Sequence, residues 1–177
     1  MKPYLLLDVD GPLNPYAKRY DPNGGLVRMF LDPIKWEFSD EKSRSSIPVL
    51  LNPDHGGMLK RLSEYYVLTW ATMWEDLANT LLAPFYGIEP LPYVTWTENN
   101  AVKCMTRRLS QKTLDIEAYM LKKDAPFVWV DDEAFKRDER LLRESLDATV
   151  LTINPKRGLT PDDEDHLVEL ARQHLDR

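Results

Sequence analysis

The sequence predicts an α/β fold in three layers: a central parallel sheet with helices on both faces. Three observations predict it. Short apolar runs recur along the chain, and most are followed by a segment with helix signals. Runs such as Leu5-Leu6-Leu7 and Phe127-Val128-Trp129-Val130 show no polar alternation, as expected of strands covered on both faces. Polar groups stand where three of these runs stop: Asp8 and Asp10, then Thr72, then Asp131 and Asp132.

The elements follow in order. Tyr4 to Val9 reads as a buried strand that turns at Asp10-Gly11, not as a signal peptide, because its apolar run is short and acids follow at once. Residues 14–46 are punctuated by Pro15, Pro22, Gly24, Gly25 and Pro33 and read as a small flap. Within it, Leu26 to Leu31 and Ile34 to Phe38 are expected to pair as a hairpin around Asp32-Pro33, and Ser39 to Ser46 as loop. Ile47 to Leu51 is extended, and Asn52-Pro53-Asp54 opens a helix whose Met58, Leu59 and Leu62 share a face. A strand over Tyr65 to Ala71 leads through Thr72, a candidate N-cap, into a helix from Met73 to about Phe85. After a proline-framed loop, Tyr93 to Trp96 is strand-like, and no large insert is expected between Ala83 and Ser110. Ser110 caps a helix over Gln111 to Lys122. Phe127 to Val130 is a strand, Glu133 to Leu146 a charged helix, and Ala148 to Ile153 the last strand. Thr160-Pro161-Asp162-Asp163 starts a final helix to His174, with a cap, proline in the first position and acids in the first turn.

The composition narrows the function. The 177 residues suit a single domain over 1–177, and 43% hydrophobic content supplies a core. A net charge of −6 argues against a chain coated in nucleic acid. Cys104 is the single cysteine, which excludes an internal disulfide and fits a reducing, cytoplasmic compartment. His55, His166 and His174 lack zinc-ligand spacing. No apolar run is long enough to cross a bilayer, so no membrane partner is expected. Arg107-Arg108, Lys122-Lys123 and Lys136-Arg137 read as solvated helix surface, and Trp70, Trp74, Trp96 and Trp129 as core or site wall.

In an open parallel sheet, ligands bind at the carboxyl ends of the strands. Acids gathered there repel one another, and a hard cation relieves the repulsion. Mg²⁺ takes one or two carboxylates, with waters and substrate phosphate completing its shell. The run Leu5-Leu6-Leu7-Asp8-Val9-Asp10-Gly11 resembles the first motif of the haloacid dehalogenase (HAD) superfamily. Thr72 resembles the second motif, Lys112 the third and Val130-Asp131-Asp132 the fourth, in the family's order and over most of the chain. Trp70-Ala71-Thr72-Met73-Trp74 looks like the second-motif region of a compact bacterial branch with a minimal cap.

The resemblance implies a three-layer, Rossmann-like HAD fold and a Mg²⁺-dependent phosphatase. Asp8 would be the nucleophile and a metal ligand. Asp10 would be the acid and base, with its carbonyl on the metal. Asp131 or Asp132 would complete the ligand set, with the choice between them open. Gly11 would allow the turn, Thr72 would bind a phosphoryl oxygen, and Lys112 would neutralise charge. Thr69 stands as the alternative to Thr72, and Lys103 to Lys112. Lys156-Arg157, after the last strand, is expected to face the distal part of the substrate. A nearly capless site would suit a phosphate on a bulky body, such as a nucleic-acid end or a nucleotide. A second reading keeps the fold and the metal site in a catalytically weak binding or regulatory domain.

Overall fold

The computed structural model describes residues 1–16, 27–31 and 47–175. The elements run β1 (Tyr4–Leu7), β2 (Val27–Leu31), β3 (Ile47–Leu51), α1 (His55–Tyr65), β4 (Val67–Trp70), α2 (Asp76–Tyr86), α3 (Glu98–Thr106), α4 (Thr113–Leu121), β5 (Phe127–Asp131), α5 (Lys136–Leu142), β6 (Ala148–Thr152) and α6 (Pro161–Leu175).

Four strands form one parallel sheet in the order β4-β1-β5-β6. Side chains alternate across it. Leu5 and Leu7 of β1, Leu68 and Trp70 of β4, and Val128 and Val130 of β5 pack with Leu59 and Leu62 of α1, Leu82 of α2 and Leu167 of α6. Leu6, Phe127 and Trp129 point the other way, onto Ile116 and Met120 of α4 and Leu142 of α5. Every residue of β5 is buried. The chain is therefore α/β, Rossmann-like, with helices on both faces of a parallel sheet. No helix among the described residues is long and apolar enough to cross a membrane.

The expected boundaries shift where hydrogen bonding overrides apolar pattern. Tyr65 ends α1 rather than starting a strand, because the Tyr66 N–H closes onto the Leu62 carbonyl at 2.9 Å. The helix expected from Met73 begins at Asp76, after a turn in which Glu75 takes φ +47°. The helix expected from Gln111 begins at Thr113, and that expected from Glu133 is confined to Lys136–Leu142. Tyr93 to Trp96 forms no strand; Tyr93 makes a single bridge to Trp70. At that edge of the sheet the Trp70 N–H donates to Pro92 O at 2.8 Å, and Val94 N–H donates to Trp70 O at 2.9 Å. At the opposite edge Glu139 Oε1 lies 3.4 Å from the Val150 N–H.

Two features differ more. The strand at 27–31 pairs antiparallel with Ile47–Leu51, in the register Met29 opposite Val49. The partner expected for it, Ile34 to Phe38, lies outside the described residues, as does the loop 39–46. Between Ala83 and Ser110 the chain forms α3, which buries only Cys104. With one buried position it carries no apolar stripe to read. It is tied instead by Asp115 of α4, whose carboxylate accepts from Thr97 N at 2.9 Å, Thr97 Oγ1 at 3.0 Å and Asn100 Nδ2 at 2.7 Å. The start of α6 follows expectation: Thr160 N–H and Oγ1 both donate to Asp163 Oδ2, at 2.9 and 2.6 Å, with Pro161 in the first helical position.

Candidate functional site

The site grows from the register of the central strands. Leu7 of β1 lies opposite Val130 of β5, so the next residues, Asp8 and Asp131, emerge side by side at the carboxyl edge. The Asp8 N–H donates to Val130 O at 3.0 Å and continues the ladder. Two buried carboxylates so placed repel each other, and a cation lies between them. Lys112 Nζ is 2.7 Å from Asp8 Oδ2 and 2.9 Å from Asp131 Oδ2. Lys112 stands at the N-cap of α4, on the face of the sheet covered by that helix, and only 4% of it is exposed. Lys103, its alternative, is exposed on α3.

The remaining lone pairs are largely committed. Asp8 Oδ1 accepts from the Val9 N–H at 2.8 Å. Asp131 Oδ1 accepts from the Glu133 N–H at 2.7 Å, and Oδ2 takes a further contact from Trp129 Nε1 at 3.2 Å. Asp132 is different: no side chain or N–H of another described residue bonds its carboxylate. Burial pushes the Asp8 carboxyl up to about 7; Lys112 opposes that shift and Asp131 adds to it. Burial and then Asp131 push Asp132 up to about 6. Burial works against the Lys112 ammonium, but the two carboxylates outweigh it and hold its pKa above the ordinary lysine value.

Asp8, Asp131 and Asp132 each offer a carboxylate oxygen, all within 4.8 Å of one another. Carboxylate oxygens alone, without sulfur or imidazole, suit a hard divalent cation. Gly11 makes the approach feasible. Its φ is +88°, and a Cβ there would stand 2.5 Å from Asp132 Cγ.

Asp10 stands apart from this trio. Its Oδ1 accepts from Asn14 Nδ2 at 2.7 Å and its Oδ2 from Trp74 Nε1 at 2.8 Å. Asn14 Oδ1 in turn accepts from the Leu50 N–H of β3 at 2.8 Å, which links the two-stranded hairpin to the acid. Thr72 is buried just past β4. Its Oγ1 lies 3.3 Å from the Trp74 N–H, and its carbonyl accepts from Trp96 Nε1 at 2.8 Å. Thr69 is buried mid-strand opposite Leu6, and its hydroxyl has no partner among the described residues. The structure thus brings Asp8, Lys112, Asp131 and Asp132 together and links Thr72 to Asp10 through Trp74. Lys156 and Arg157 make no ion pair or hydrogen bond with these acids. Lys156 is exposed, and Arg157 Nη2 lies 3.6 Å from Asp163 Oδ2.

Three residues of the site escaped the sequence reading. Trp74, expected as core or site wall, is buried in the core, and its bond to Asp10 was the part not foreseen. Asn14 lies four residues after Asp10 in the turn through Gly11, and that spacing was its only signal. Tyr16 is half exposed, and its hydroxyl is pushed up to about 12 by burial, then by Asp10, Asp132 and Asp8. No protein-family model matches the chain, and no curated protein sequence matches it.

Proposed function

We propose that this chain is a HAD-like phosphohydrolase that uses Mg²⁺ and an aspartyl-phosphate on Asp8 to cleave a phosphomonoester. The observation that carries the reading is the Asp8–Lys112–Asp131 ion-pair chain, with Asp132 alongside, at the carboxyl edge of the two central strands. A structural salt bridge would not need a third carboxylate pressed against the same point, nor a glycine to admit it.

In this reading an Asp8 oxygen forms a bond to phosphorus as the bond to the leaving oxygen breaks, and Asp10 gives that oxygen its proton. Water then attacks the phosphorus, returns a proton to Asp10, and releases phosphate and the free Asp8 carboxylate. Lys112 opposes the burial that favours the neutral Asp8 carboxyl and neutralises charge on the phosphoryl oxygens. Thr72 offers a hydroxyl and an N–H near the same edge. Asn14 and Trp74 hold the Asp10 carboxyl in one orientation. A bound Mg²⁺ would shield the charge between the acids and the phosphoryl group. Asp8 and Asp132 are the carboxylates assigned to hold it, with the Asp10 carbonyl. Asp131 is assigned to orient Lys112, since its Oδ2 bonds the ammonium and the Trp129 indole while its Oδ1 bonds the Glu133 N–H.

The test is hydrolysis of p-nitrophenyl phosphate and a panel of phosphate esters, including nucleotides and phosphorylated oligonucleotides. Turnover is expected with Mg²⁺ and is expected to stop in EDTA. Asp8→Asn should lower kcat by about 10³-fold or more with the melting temperature retained. Turnover that survived Asp8→Asn would sink the nucleophile assignment. A wild type inert on the whole panel would favour a binding or regulatory domain.

A further inference from the structure

A groove of about 400 Å³ opens between the turn before α4 and the turn before α5, lined by Met105, Arg108, Gln111, Glu133, Phe135 and Arg137 among others. Its lining includes the chain neighbours of two site residues, since Gln111 precedes Lys112 and Glu133 follows Asp132. Two of its lining residues, Ser110 and Phe135, are tied to one carboxylate. The fully buried Asp138 accepts from Ser110 N at 2.8 Å, Thr113 Oγ1 at 2.7 Å and Phe135 N at 2.9 Å, joining the wall that leads into α4 to the wall that leads into α5.

The lining is built for an anion on an apolar body. Arg108 and Arg137 are exposed, and neither guanidinium has an acid partner among the described residues; Glu133 is the one carboxylate in the lining. Met105 is 70% exposed and Phe135 48%, so apolar surface faces water beside the two cations. Arg108 carries a separate sign of use. It follows α3 with φ +59°, where the Leu109 N–H closes onto Cys104 O at 2.9 Å. Glycine is the usual residue at such a helix end, and an arginine there bears backbone strain.

We propose that this groove is a second-anion subsite. It takes a phosphate or carboxylate group that the substrate carries, on an apolar or planar body, in addition to the phosphoryl group presented to Asp8. The guanidinium forks bind the oxyanion, and Phe135 and Met105 cover the body that bears it. The groove has the size of a small-ligand site. The proposal rests on the phosphohydrolase reading for the identity of the ligand as substrate; the anion affinity of the groove does not depend on it.

The probe is adenosine 3′,5′-bisphosphate, compared with adenosine 5′-monophosphate. In EDTA, calorimetric titration of the wild type and of the Arg108→Gly, Arg137→Ala double variant reads the groove without turnover. Binding of the bisphosphate is expected to weaken by about tenfold or more in the double variant. No binding by the wild type, or equal binding by both, overturns the subsite. With Mg²⁺, the wild type is expected to favour the bisphosphate in kcat/KM by about tenfold, and the variant to lose that preference. A comparison of 4-carboxyphenyl phosphate with phenyl phosphate asks the same of a carboxylate. Arginine-dependent binding without any arginine-dependent preference in turnover would make the groove a site for a separate anion and overturn its role as a substrate subsite. Turnover indifferent to both arginines, with indifferent binding, removes the groove and leaves the phosphohydrolase standing. Absence of all turnover in the wild type removes the phosphohydrolase and leaves the EDTA titration to decide the groove. Misfolding is separable. Arg108→Gly relieves the left-handed backbone and should not lower the melting temperature, and Arg137→Lys should keep part of the affinity that Arg137→Ala loses.

Discussion

At the scale of single residues, Lys112 and Gly11 are the positions where geometry leaves least freedom. Lys112 is the only cation in contact with Asp8 and Asp131 among the described residues. Lys112→Met would leave two buried carboxylates facing each other, so a loss of about 3 kcal/mol is expected in urea unfolding without metal. Saturating Mg²⁺ should recover part of that loss, because a cation would again face the pair. Gly11→Ala adds a Cβ 2.5 Å from Asp132 Cγ at φ +88°. It should cost about 2 kcal/mol and weaken Mg²⁺ binding, measured by thermal melts and metal titration. The acids, the threonine and the lysine were legible because each ends an apolar run or begins a helix. The Asp10 contacts of Trp74 and Asn14 were not, because they depend on how a turn folds back. Nothing in their local sequence separates an indole donor to Asp10 from an indole in the core.

At the scale of elements, the two helices that border the site are held by buried carboxylates as well as by apolar contacts. Asp138 ties the entries of α4 and α5, and Asp115 ties the entry of α3 to α4. Asp138→Ala would strand the Ser110 and Phe135 N–H groups and leave the Thr113 hydroxyl only the Ser110 carbonyl, so a cost of about 2 kcal/mol is expected in urea unfolding. The register of Lys112 against Asp131 should loosen with it, and under the proposed phosphohydrolase reading a raised KM for phosphate esters would reveal that. The strands β1, β4, β5 and β6 were legible from their apolar runs, and α1 and α6 from their faces and caps. By contrast, α3 has one buried side chain, and its anchor lies in another helix, where periodicity cannot reach it. The pairing of β2 with Ile47–Leu51 was not read from the sequence for a related reason, and the partner expected for it, Ile34 to Phe38, lies outside the described residues. A turn at Asp32-Pro33 is a local cue, whereas pairing with Ile47–Leu51 closes a longer loop that only the fold selects.

At the scale of the whole molecule, the layer arrangement was the most legible feature, because unbroken apolar strands can be satisfied only by helices on both faces. It also places a pH-sensitive group in the larger core. His55, at the start of α1, is 3% exposed. It holds the Leu159 carbonyl through Nε2 at 3.1 Å, while Nδ1 has no partner among the described residues. Burial lowers its pKa below the ordinary histidine value. The unfolded chain therefore takes up a proton near pH 6.5 that the folded chain refuses. The contribution of His55 to stability is complete above that pH and is lost as pH falls toward the lowered folded value. Asp8 and Asp132, with raised values, slope the other way. The effect of His55 is thus read as the difference between wild type and His55→Gln in urea titrations at pH 7.5 and 5.5. The wild type should lose more stability than the variant on acidification.

The two borders of the parallel sheet bear on how copies of this chain meet. A free strand edge is a template on which another chain can add a strand, the route to open-ended aggregation. Here the segment around Tyr93 already takes the Trp70 N–H and carbonyl on the β4 side, and the Glu139 carboxylate sits against the Val150 N–H on the β6 side. Growth of this sheet from molecule to molecule would have to break those contacts first. High concentrations of the folded protein should therefore resist fibre formation for a reason unrelated to its chemistry.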